Sequence, residues 1–79
     1  MDIVESGVHW STSNFLKEQK MVSRKGKKRW ISTDKILLYE WDALHGEIEV
    51  YSLLGEHLRV LDAEGNLKKP AKKGRKIET

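Results

Sequence analysis

From Gly46 to Ser52 the chain reads Gly-Glu-Ile-Glu-Val-Tyr-Ser, with Glu47, Glu49 and Tyr51 alternating against Ile48 and Val50. A period of two is that of a strand with one buried face; a helix cannot keep such a pattern on one side. Shorter strand-like runs flank it: Arg29-Trp30-Ile31, Lys35 to Trp41, and His57 to Leu61. Gly46, Gly55 and Gly65-Asn66 punctuate these runs, at a spacing of about ten residues that favours an antiparallel meander of four or five strands. Ahead of the strands, Ser11-Thr12-Ser13 offers N-cap hydroxyls to a short helix over 14–20, with Trp10 and Phe15 as its anchors to the sheet. The expected class is α+β, mostly β, as one domain over 1–79 with an N-terminal helical segment in 1–24.

At 79 residues such a domain buries only about 60% of the surface its unfolded chain exposes, so its stability margin is thin. Cysteine is absent, which excludes a disulfide framework and a thiolate metal site. The N-terminal Met1 to Gly7 carries acids where a signal peptide carries Lys or Arg, and no apolar run approaches the ~20 residues that span a bilayer. The sequence is therefore expected neither to export nor to anchor itself, and no membrane partner is assigned.

The net charge of +3 is unevenly spread. Residues 20–30 hold six bases and no acid; residues 31–64 hold eight acids against Lys35 and Arg59; residues 65–79 hold six bases against Glu78. Cationic blocks of this kind are footprints for polyanions, because each Lys or Arg that neutralises a phosphate releases counterions. Lys28 and Arg29 in the first block are candidate RNA contacts. The second block, from Lys68 to Lys76, has no apolar period and contains Pro70; it is expected to be a loop or edge segment that gains order on substrate.

A hairpin centred near Leu44 predicts Trp41 opposite Glu47 and Tyr39 opposite Glu49. Tyr39, Trp41, Glu47, Glu49 and Tyr51 would then share one face, with Asp42 and His45 at its turn end, while Ile36, Leu38, Ile48 and Val50 form the core. RNA cleavage without a metal needs a base for the 2′-hydroxyl proton, an acid for the leaving 5′-oxygen, and cations for the phosphorane. A histidine, carboxylates and a basic tail that folds back supply all three. On this reading Tyr39 and Tyr51 touch substrate and Trp30 and Trp41 pack. The same residues also describe a solvated sheet face with no chemistry. No zinc-type ligand spacing is present, so neither a metal nor another cofactor is assigned. His9 and His57 have no motif around them and are read as structural or solvated.

The chain also resembles the cytotoxic ribonuclease domain of the ribosome-cleaving colicins and cloacin. The likeness runs from Lys25 to Ile77: Lys28-Arg29-Trp30, the block Tyr39-Glu40-Trp41-Asp42-x-x-His45-Gly46-Glu47-x-Glu49-x-Tyr51, the Gly55-x-His57-Leu58 element, and Gly65-Asn66 before the Lys/Arg tail. Leu37, Leu38, Leu44 and Val50 depart from the family pattern, and the first 24 residues do not resemble its linker. The resemblance implies a small, strongly twisted antiparallel sheet over 25–77. It implies one cut in the decoding site of 16S rRNA of the small ribosomal subunit, which blocks translation. It makes Glu49 the base, His45 the acid and Asp42 the group that orients His45. Glu47 and Tyr39 would lie beside them, and Lys68 and Arg75 would be the active-site cations.

The expected function is thus a metal-independent endoribonuclease toxin that leaves a 2′,3′-cyclic phosphate and a 5′-hydroxyl. The alternatives are a non-enzymatic RNA- or ribosome-binding module and a general RNase. The expected partners are the ribosome and a cognate acidic immunity protein or antitoxin. The expected place of action is the bacterial cytoplasm, that of a target cell if the domain travels in a larger secreted toxin.

Overall fold

The computed structural model describes residues 7–79. A 3-10 turn, Trp10–Thr12, leads into a one-turn helix α1, Asn14–Lys17. Six strands follow: β1 Lys20–Arg24, β2 Lys27–Ile31, β3 Leu37–Asp42, β4 Glu47–Ser52, β5 His57–Leu61 and β6 Leu67–Pro70. They form one antiparallel sheet in chain order, the meander expected from the turn spacing with more strands than the four or five anticipated.

The additional strand is β1. Residues 20–30, which the sequence marks only as a cationic block, form a hairpin closed by Lys25 and Gly26 at φ +53° and +80°. Two consecutive positive φ values make the tight turn whose twist matches antiparallel strands. Its charged side chains hide the alternation by which strands are recognised. β1 also shortens the helix, because Lys20 already pairs with Ile31; α1 ends at Lys17 rather than running to Lys20.

One face of the sheet carries the apolar core of Leu16, Trp30, Tyr39, Ile48, Val50 and Leu61. The N-terminal segment covers it as anticipated. Trp10 packs on Trp30 with ring centroids 5.4 Å apart, and Phe15 meets Tyr39 edge-on at 5.3 Å. Ser13 fixes the helix to the sheet: its fully buried hydroxyl accepts the Leu16 N–H at 3.0 Å and donates to the Ala63 carbonyl at 2.7 Å. Satisfying both of its polar capacities removes the cost of burying it.

The β3–β4 register differs from expectation by one residue. Asp42 pairs with Glu47, Trp41 with Ile48, Glu40 with Glu49, Tyr39 with Val50 and Leu38 with Tyr51. The connecting loop is four residues, closed by Gly46 N–H donating to Asp42 O at 2.8 Å, with Gly46 at φ +65°. A one-residue slip turns every side chain of one strand to the other face. Tyr39 and Trp41 therefore belong to the core side. Leu38, Glu40 and Asp42 join Glu47, Glu49 and Tyr51 on the opposite face, and Ile36 lies outside the core, well exposed.

Gly65, in the β5–β6 turn at φ +92°, lies so close to Phe15 that a Cβ there would sit 2.5 Å from the ring. Gly26 has a similar φ with open space around it. Gly26→Ala should cost about 1 kcal/mol from backbone strain alone, whereas Gly65→Ala should cost roughly 2–4 kcal/mol by adding displacement of Phe15. Urea unfolding of the two variants checks this; equal losses would show that the Phe15 contact does not constrain the turn.

Candidate active site

The face opposite the core carries a cleft of about 300 Å³ lined by Asp42, His45, Glu47, Glu49, His57, Val60, Lys69, Pro70, Lys72 and Arg75. Asp42, His45, Glu49 and Arg75, the four residues expected to carry catalysis, all line it, with Glu47 among them. They come from the end of β3, the β3–β4 loop, β4 and the tail.

β4 is the central element. Five of its six residues are buried, so Glu47 and Glu49 are not a solvated sheet face: they are only 4% and 7% exposed. Carboxylates buried to this degree require counter-charges or hydrogen-bond donors. Lys68 Nζ lies 2.8 Å from Glu47 Oε2 and Lys69 Nζ 3.6 Å from Oε1. His57 Nε2 lies 2.7 Å and Arg75 Nη1 3.6 Å from Glu49 Oε1.

The tail starts as the edge segment expected around Pro70, and it is paired to the sheet and its buried carboxylates. Lys68 and Lys69 belong to edge strand β6. Beyond it, Arg75 N–H donates to Lys72 O, His57 N–H to Arg75 O, and Ile77 N–H to Gly55 O. These backbone bonds hold the turn over 72–75 across the mouth of the cleft and bring Arg75 back to Glu49.

At the other end, Asp42 Oδ2 lies 2.8 Å from His45 Nδ1, and its Oδ1 accepts the His45 backbone N–H at 3.2 Å. Burial pushes the Asp42 carboxyl up, but the hydrogen bonds from His45 outweigh it and leave it below the ordinary aspartate value. An ionised Asp42 therefore accepts a proton-bearing Nδ1 and leaves Nε2 as the exchangeable nitrogen of a ring that is largely exposed.

The remaining predicted residues are placed differently. Tyr39 is in the core beneath Phe15, not beside the carboxylates, and burial raises its hydroxyl above the ordinary value. Tyr51 is on the cleft face but fully buried. His57 meets its ring edge-on at 5.3 Å, and the Arg75 guanidinium lies 6.0 Å from the ring centroid. Burial raises the Tyr51 hydroxyl too, against the opposing pull of Arg75. Tyr51 thus supports Arg75 and His57 instead of offering a free face to a base. Arg29 is buried against Glu40, with Nη2 3.0 Å from Oε2, while Lys27 takes the other oxygen at 3.2 Å. Lys28 pairs with Ser23 and is exposed away from this cleft.

Sequence reasoning missed His57. Alternation would put residues 57, 59 and 61 on the core face, but the register shifts between Val50 and Tyr51: Val50 pairs with Arg59 and Tyr51 with His57. This bulge turns His57 to the cleft. The signal available was its place in the matched Gly55-x-His57-Leu58 element.

Ligand atoms of Asp42, His45 and Glu47 lie within 4.8 Å of one another. The donor set does not suit a cation, because two lysines already neutralise Glu47 and Asp42 is bonded to His45.

Lys68 holds Glu47 below the ordinary glutamate value, chiefly through their hydrogen bond, and the same bond raises Lys68. The lowered Glu47 contributes stability above its unfolded value of about 4.3 and loses it as pH falls through the folded one. The raised Lys68 contributes below about 10.4 and loses it as pH rises through its folded value. Lys68→Met should therefore lower the melting temperature on the plateau between these values and converge with the parent at more acid pH. A deficit that persists unchanged in acid would mean that packing, not charge, is what Lys68 supplies.

A family model described as Cytotoxic matches residues 12–78. No curated protein matches the chain. Among the described residues no helix is long and apolar enough to cross a membrane.

Proposed function

The chain belongs to the Cytotoxic family, and from that membership we propose that it is a toxin domain acting as a metal-independent endoribonuclease on the decoding site of small-subunit rRNA. The observation that carries the chemistry is the convergence, in one cleft, of His45 and Glu49 from the β3–β4 loop and β4 with Arg75 from the distant tail. A proton acceptor, a proton donor and a cation are the complete requirement for in-line attack by a ribose 2′-hydroxyl.

Glu49 acts through Oε2, which receives no hydrogen bond among the described residues; His57 and Arg75 hold Oε1. Oε2 takes the 2′-hydroxyl proton as the 2′-oxygen bonds to phosphorus. The phosphorus–5′-oxygen bond breaks, and protonated His45 delivers its Nε2 proton to the leaving oxygen. The products are a 2′,3′-cyclic phosphate and a 5′-hydroxyl; solvent then returns the proton from Glu49 to His45. Arg75, whose side chain is 44% exposed, faces the charge that develops on the phosphorane. Asp42 keeps Nε2 of His45 directed to substrate.

The exposed bases Lys69 and Lys72 at the rim suit the phosphates flanking the cut, and the same surface suits an acidic immunity protein or antitoxin. Delivery inside a larger secreted toxin would bring the domain to the cytoplasm of a target cell.

Primer extension on rRNA from intact bacterial ribosomes treated in EDTA should reveal one cut near the decoding site. His45→Ala and Glu49→Ala should each slow it by roughly 100-fold or more. Scattered cuts on naked RNA would make the domain a general ribonuclease. Salt-sensitive ribosome binding without a cut would make it a non-enzymatic module.

A further inference from the structure

Two histidines line the cleft, and their surroundings divide their work. His45 is 59% exposed at its side chain and has one ring nitrogen engaged. His57 is 1% exposed at its side chain, with both ring nitrogens engaged. Lys72 backbone N–H reaches its Nδ1 at 2.8 Å, and its Nε2 lies 2.7 Å from Glu49 Oε1.

A peptide N–H only donates, so Nδ1 must accept and cannot carry a proton while that bond stands. The ring proton is then on Nε2, where it donates to the carboxylate. From this geometry we infer that His57 is the positioning residue of the cleft: a neutral imidazole, fixed as its Nε2–H form by the Lys72 backbone, that holds the Glu49 carboxylate by one oxygen and leaves the other to face substrate. The inference rests on the reading of Glu49 as the base and adds the device that aims it.

Becoming an acid would require His57 to carry protons on both nitrogens and so to break the Lys72 bond. That excludes it from the proton-donating role that His45 takes. His57 also couples aim to charge, because its own backbone N–H donates to Arg75 O at 3.0 Å. One residue thereby registers the tail, its guanidinium and the base against each other. An orientation error of about 1 Å costs roughly 100-fold in rate.

The other groups facing Glu49 remain when His57 is replaced. Glu40 on β3 stands opposite Glu49 and is neutralised by Lys27 and Arg29. Glu47 and Tyr51 share its strand and face; Lys69 on β6, and Lys72 and Arg75 in the tail, line the same cleft. Loss of the imidazole donor, with these charges unchanged, disfavours the Glu49 carboxylate and moves the acid limb of the rate profile to higher pH.

The first test is the His57 tautomer in the wild-type domain, read by long-range proton–nitrogen NMR near neutral pH. A neutral ring protonated at Nε2 is expected; an imidazolium or an Nδ1–H ring would overturn the inference whatever the activity. The second is single-turnover cleavage of ribosomes across pH by His57→Phe and His57→Gln. The phenylalanine variant should lose roughly 100-fold with its acid limb displaced upward. Glutamine, which can present an N–H to Glu49, should recover part of the rate and shift the limb back.

Folded variants with the parental rate, or a slower rate with an unmoved limb, would reduce His57 to a packing residue. If His57→Phe does not fold, the tautomer and the glutamine variant decide. If the wild-type domain cuts no RNA, the nuclease reading fails, and the tautomer still decides whether His57 holds Glu49.

Discussion

Two carboxylates on the central strand cannot be buried without compensation, and much of the domain is arranged around that constraint. Glu47 and Glu49 are flanked on both sides by paired strands and lie under the basic tail. A buried carboxylate stripped of its partners costs several kcal/mol, a large share of what a domain this small has in reserve. Edge strand β6 and the 72–75 turn are therefore part of the fold rather than a flexible polyanion arm. Their lysines and Arg75 stabilise the sheet before they meet any substrate. On the proposed function, substrate phosphate and protein carboxylate would call on the same cations, so stability and RNA recognition would be two uses of one charge distribution.

The arrangement also separates the tasks of similar groups by environment. Glu40, opposite Glu49, is closed off by Lys27 and Arg29, and Glu47 by two lysines. Among the described residues, Glu49 alone of the three has one oxygen engaged and the other without a partner. His45 stands on an exposed loop with one ring nitrogen engaged, whereas His57 is buried between a carboxylate and a peptide N–H. On the proposed mechanism, such division by burial and partner is what would separate acid, base and support among groups of the same residue type.

Much of this was legible in the sequence, for identifiable reasons. Period-two alternation located β4, and the spacing of Gly46, Gly55 and Gly65 gave the meander. Ser13, Trp10 and Phe15 announced the helical cap. Asp42, His45 and Glu49 were singled out by their spacing and resemblance, and all three line one cleft. The register of β3 against β4 was not legible, since it depends on a four-residue loop closed through Gly46. That single step exchanged the faces of Tyr39 and Glu40. β1 was hidden because a strand of Lys20, Ser23 and Arg24 lacks apolar alternation. His57 was hidden because a bulge, invisible to a strict period, rotates it into the cleft. The docking of the tail was hidden for a different reason: composition reports its charge, whereas its partners Glu47, Glu49 and Gly55 are distant in sequence.

The central claim is that Glu49 and His45 move protons for attack by the substrate's own 2′-hydroxyl. Chemical analysis of the ends left on rRNA cut by the domain in EDTA tests it most directly. The account predicts a 2′,3′-cyclic phosphate on one fragment and a 5′-hydroxyl on the other. A 3′-hydroxyl with a 5′-phosphate would mean that water, not the ribose, attacks phosphorus, and would contradict it.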